Sequence, residues 1–117
     1  MIHSISAVTL ATHDMAASVA FYRVTGAPLL RGGTAAAFTT FHIGPGYLNL
    51  ILQPAGKAWS WWGRVIFHDS DVDGLHSRFI AAGYRPDSAP RDAPWGERFF
   101  HITDPDGHEL SFAWPLG

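Results

Sequence analysis

Apolar residues recur along this chain in two patterns. Ala37–Ile43 and Tyr47–Gln53, and again Arg98–Thr103 and His108–Trp114, are aromatic and β-branched runs bounded by turn residues and read as extended segments, that is strands. Gly44-Pro45-Gly46 separates the first pair and Asp104-Pro105-Asp106-Gly107 the second, so each pair reads as a hairpin. Between Asp14 and Gly26, Met15, Val19 and Tyr22 recur at helical spacing. Val72, Leu75, Phe79 and Ile80 do so between Asp71 and Gly83, predicting one buried stripe on each helix. Each Asp fits an N-cap, accepting from the orphan amides of the first turn. Each Gly fits the residue after the helix, where positive φ is needed.

The two halves repeat. A single offset lays Ala7-Val8-Thr9-Leu10 on Arg64-Val65-Ile66-Phe67, Asp14 on Asp71 and Gly26 on Gly83. Short strands are expected before each hairpin, near Pro28–Arg31 and Tyr84–Asp87. Both halves then read β-α-β-β-β, with module 1 at about 3–53, module 2 at about 64–115 and a linker at 54–63. The fold class is α+β: two tandem βαβββ modules forming a curved mixed sheet that encloses a cup-shaped cavity, a single domain over 1–117.

Composition narrows the chemistry. With no cysteine, disulfides, thiolate zinc sites and a Cys nucleophile are excluded. A formal net charge of −2 without a basic cluster argues against nucleic acid as a partner. No apolar run suits a membrane span and no signal pattern opens the chain, so a soluble, cytoplasmic protein is expected. Seven histidines and five tryptophans stand out.

Three segments carry a resemblance: Asp14 to Tyr22 (DMAASVAFY), Asp69 to Gly83 (DSDVDGLHSRFIAAG) and Pro94 to Phe112 (PWGERFFHITDPDGHELSF). They resemble the vicinal oxygen chelate superfamily of glyoxalase I, extradiol dioxygenases and bleomycin resistance proteins. Pro94–Phe99 is especially similar to the metal-free bleomycin resistance branch. The resemblance implies four inward positions that hold a divalent metal in the enzymes, on the first and last strand of each module. Here they are Ala7, Asn49, Arg64 and Ser111. The enzymes need His or Glu there. A methyl, an amide, a guanidinium and a hydroxyl do not make that set, so no metal and no cofactor are expected.

Alternation extends the site to Thr9, Ile66, His68, Tyr47, Ile51, Glu109 and Ala113, with Phe41 expected as the cross-strand neighbour of Tyr47 and Ile51. His101 occupies a place where the dioxygenases carry an active-site Tyr. Arg64, His68, His101, Glu109, Asn49 and Ser111 thus form the expected polar set, with Phe41, Tyr47 and Phe99 as walls. Arg64 has two readings: an internal ion pair with Glu109, or an anchor for a carboxylate, phosphate or enolate. For His68 and His101, wall residues stand against acid–base or recognition roles. His68, His101 and Glu109 are also the ligand types of a relocated non-haem iron triad, and Ser111–His101 a weaker nucleophilic dyad. Trp59, Trp61, Trp62 and Trp95 suit a ligand crevice or a homodimer interface. His3, His13, His42, His76 and His108 are expected at the surface or strand edges, without chemistry.

Sequence reading therefore favours a metal-independent small-molecule-binding protein, a homodimer that sequesters a drug or metabolite, as in antibiotic resistance. The alternatives are a lyase, isomerase or dioxygenase-like enzyme using His101 or the relocated metal site, and a structural dimer with a filled cup.

Overall fold

The computed structural model describes residues 1–117 and divides into two compact units, Met1–Trp59 and Ser60–Gly117. The mixed sheets are two, one per unit, each open at both edges.

In the first unit the order is β1 (Ala7–Thr12), α1 (Met15–Arg23), β2 (Leu29–Arg31), β3 (Phe38–Ile43) and β4 (Gly46–Leu52). The sheet runs β1-β4-β3-β2, with β1 parallel to β4 and the other neighbours antiparallel. Helix α1 begins where Asp14 accepts a 3.0 Å bond from the Ala17 amide, and the chain turns at Gly26 with φ 81°. Met15, Ser18, Val19 and Tyr22 are buried along one stripe.

The second unit repeats this plan: β5 (Arg64–His68), α2 (Val72–Ala81), β6 (Arg91–Asp92), β7 (Glu97–Thr103) and β8 (Glu109–Pro115), with sheet order β5-β8-β7-β6. Asp71 accepts from the Gly74 amide at 3.0 Å. A Cβ built on Gly74 would lie 2.1 Å from that carboxylate, so glycine leaves the cap its room. Phe79 packs against Phe100 and Phe112 with ring centroids 6.3 and 5.7 Å away. One face of the second sheet is thus an aromatic core beneath α2.

Three sequence expectations change. Ile80 is 53% exposed, because a helix turns about 100° per residue and carries it off the stripe of Val72, Leu75 and Phe79. The short strand of the second half is β6, not Tyr84–Asp87. Pro86 cannot donate there, so pairing with β7 shrinks to Asp87 N–H donating to the His101 carbonyl and the His101 N–H donating to the Ser88 hydroxyl. His108 is buried, not peripheral. Its Nδ1 accepts the Trp62 indole N–H at 2.7 Å, and its amide donates to Asp104. The expected turn is present, with Gly107 donating to the Asp104 carbonyl at φ 88°. No helix is long and apolar enough to cross a membrane.

Replacing either cap, Asp14→Ala or Asp71→Ala, is expected to cost about 1 kcal/mol. The double variant should be close to additive because the caps lie in different units. Urea unfolding followed by circular dichroism checks both.

Candidate functional site

Side chains on the face of the second sheet away from α2 meet through register. The parallel β5–β8 ladder sets Arg64 opposite Glu109 and Ile66 opposite Ser111. The β7–β8 hairpin sets His101 opposite Ser111 and Phe99 opposite Ala113. Arg64 reaches across this row: Nη2 donates to Glu109 Oε1 at 2.8 Å, and Nη1 lies 2.8 Å from His101 Nδ1 and 3.2 Å from both Ser111 Oγ and the Leu110 carbonyl. Ser111 Oγ is 2.6 Å from His101 Nδ1. Both expectations for Arg64 bear on one group: the ion pair with Glu109 is formed, and part of the fork remains over.

These contacts decide where the imidazole proton sits. Arginine only donates, so a hydrogen on Nδ1 would face the guanidinium hydrogens at 2.8 Å. Nδ1 therefore accepts, Ser111 directs its hydroxyl hydrogen there while accepting from Arg64, and the proton is on Nε2. Burial holds the His101 pKa below its usual value, with Arg64 and then Arg91 adding to the effect; Asp87 and Glu109 oppose it. Neutral and protonated at Nε2, His101 is a hydrogen-bond donor; its remaining lone pair is already engaged.

Aromatic rings continue from this cluster. Phe99 lies 5.0 Å from the His101 ring and 5.7 Å from Trp95, stacked at 28°. Trp95 is 70% exposed and donates its indole N–H to Glu97. Arg91, which sequence reasoning missed, stands 5.0 Å over the Phe99 ring. Only the β6–β7 register places it there, and β6 fell outside the expected strand.

The expected polar set is only partly assembled. His68 pairs with Glu97, 3.4 Å away, and meets Trp114 edge-on; Glu109 is held by Arg64. No group of three His, Asp or Glu side chains stands together as metal ligands, and His68 and Glu109 are each turned to another partner. In the first unit, Asn49 accepts from Thr40 at 2.8 Å and donates to Thr9 at 3.2 Å. Tyr47 lies on the same face beside His42. Phe41 is not a wall of this face. Its partner is Leu48, and it is fully buried near Tyr22 of α1. The true neighbours of Asn49 and Tyr47 are Thr40 and His42, because the hairpin register differs by one from the expected one and a one-residue slip exchanges faces. Trp62 is tied to His108.

A family model for the Glyoxalase/Bleomycin resistance protein/Dioxygenase superfamily matches residues 4–112. The chain belongs to this superfamily. Among solved structures, TioX from Micromonospora sp. ML1 is 30% identical, with 97% of this chain and 100% of that one covered at a TM-score of 0.76. A glyoxalase/bleomycin resistance protein/dioxygenase from Nocardioides is 25% identical, covering 99% and 85% at 0.74. A lactoylglutathione lyase from Agrobacterium tumefaciens, 21% identical with 97% and 94% covered at 0.77, shares the fold. No curated protein matches the chain.

The positions that resemblance assigns to a superfamily metal do not fit one. Ala7 has no donor atom, and both polar atoms of Asn49 are engaged by threonines. Ser111 is hydrogen-bonded to a permanent cation.

Because the folded His101 pKa lies below the unfolded one, the unfolded chain takes up its proton first on acidification. The associated stability is complete above pH ~6.5 and is lost as pH falls from there through the folded pKa. His101→Gln should flatten this acid limb of the stability curve. In Arg64→Met the His101 pKa should rise only partway to its usual value, since burial is the larger cause; Cε1–H NMR titration reads it.

Proposed function

We propose that this protein binds a small organic molecule without a metal and sequesters it, the molecule being a drug or metabolite. Arg64 carries the reading. At a position where superfamily enzymes need a metal ligand, its guanidinium donates to Ser111, a second such position, and to Glu109. A fixed positive charge there repels a divalent ion, and metal-dependent chemistry needs the ion as Lewis acid. Arg64 and His101 are partly uncovered and Trp95 is exposed, its ring backed by the buried Phe99, which together supply what a ligand site requires instead: directed polar groups beside a rigid aromatic surface.

Acid–base catalysis by His101 has less support, because proton uptake would occur at the nitrogen that Arg64 faces. A homodimer is part of the proposal. Trp61 is 73% exposed and Trp62 45% exposed, and large aromatics are enriched where proteins associate.

Dialysed protein should hold no stoichiometric divalent ion by elemental analysis, and Zn²⁺, Ni²⁺, Mn²⁺ or Fe²⁺ should leave its melting temperature unchanged. A small-molecule thermal-shift screen should yield stabilising compounds, with about 2.7 kcal/mol gained at a hundredfold excess over Kd. One tightly bound ion per chain that raises the melting temperature contradicts the reading, as does a broad screen with no hit. Sedimentation at the monomer mass would remove the dimer.

A further inference from the structure

Arg64 retains donors that the protein does not use. Both Nη1 hydrogens and one Nη2 hydrogen are directed at His101, Ser111, Leu110 and Glu109. The Nε hydrogen and the second Nη2 hydrogen meet no protein acceptor, although the side chain is only 28% exposed. His101 is in the same condition. Its Nδ1 is occupied twice, which leaves Nε2–H as its outward polar atom, again without a protein partner. Two neighbouring side chains thus present only hydrogens, and these are not sealed from solvent, so an incoming acceptor can reach them by displacing water.

We infer that the ligand group seated at Arg64 and His101 is an oxygen acceptor bearing no hydrogen, a carboxylate or a carbonyl, carried on a planar aryl framework. This deepens the binding reading above and rests on it. The aryl part follows from Trp95, an exposed ring stacked on the buried Phe99, which in turn lies against His101. Glu109 offsets the charge of Arg64, so recognition works through directed hydrogen bonds more than net attraction. An ammonium group would bring donors to donors, and the carboxylates nearby, Glu109, Glu97 and Asp87, already accept from Arg64, Trp95 and Thr103.

Three naphthalenes of one shape test this: 2-naphthoate, 2-acetylnaphthalene and 2-(aminomethyl)naphthalene, titrated calorimetrically at pH 7. Naphthoate and acetylnaphthalene should each bind roughly tenfold or more tighter than the amine, the worth of about one hydrogen bond to a charged group. The ratio between those two tells carboxylate from neutral carbonyl. Arg64→Lys keeps the charge and loses the fork, so the preference should shrink; Arg64→Met should erase it. Trp95→Ala should weaken all three alike. Thermal unfolding of each variant confirms that it is folded. An amine that binds as tightly as the others, or a preference surviving both Arg64 variants, overturns the acceptor assignment. Binding by none of the three overturns the aryl acceptor, while the thermal-shift screen decides separately whether any small molecule binds.

Discussion

The guanidinium of Arg64 organises the candidate site, although its ion pair with Glu109 contributes little to stability. Both partners are about a third exposed, and pairs of that kind contribute about 0–1 kcal/mol. What the group supplies is direction. It cannot accept and does not lose its proton, so any atom it approaches at hydrogen-bond distance must offer a lone pair. His101 Nδ1 and Ser111 Oγ both do so, and the tautomer of the imidazole follows. One fixed cation thereby sets the polarity of its neighbours.

That network depends on two ladders. Parallel pairing of β5 with β8 sets residues 64 and 109 side by side, and the β7–β8 hairpin sets 101 beside 111. The Asp104 turn fixes the hairpin register, its carboxylate accepting from the amides of Asp106 and His108. On the opposite face Phe79, Phe100, Phe112 and Leu110 hold the strands against α2. A slip of one residue would turn Arg64 partners into core and core into solvent.

The duplicated plan has been filled differently in each unit. In the first, the row Thr9, Asn49, Thr40 is closed on itself by neutral hydrogen bonds. The corresponding row of the second, Ile66, Ser111, His101, is joined by a cation and a carboxylate from the next row. Backbone symmetry therefore does not extend to chemistry, and the charged machinery lies in the second unit.

By itself the sequence determined the repeat, the helix caps at Asp14 and Asp71, the place of both hairpins though not the register of the first, and the Arg64–Glu109–Ser111–His101 candidates. These are local signals: a cap needs one side chain within a turn of its amides, a hairpin needs its turn residues, and alternation names the face of a strand once one member is placed. Tertiary structure decided the rest. Phe41 faces the core because of a register that no local pattern specifies. Arg91 reaches Phe99 only because two residues of β6 pair with β7. His68 joins Glu97 instead of His101, and His108 is buried under Trp62, across distances along the chain that periodicity cannot span. The tautomer of His101 belongs to this second class too, since it is set by a guanidinium brought from another strand.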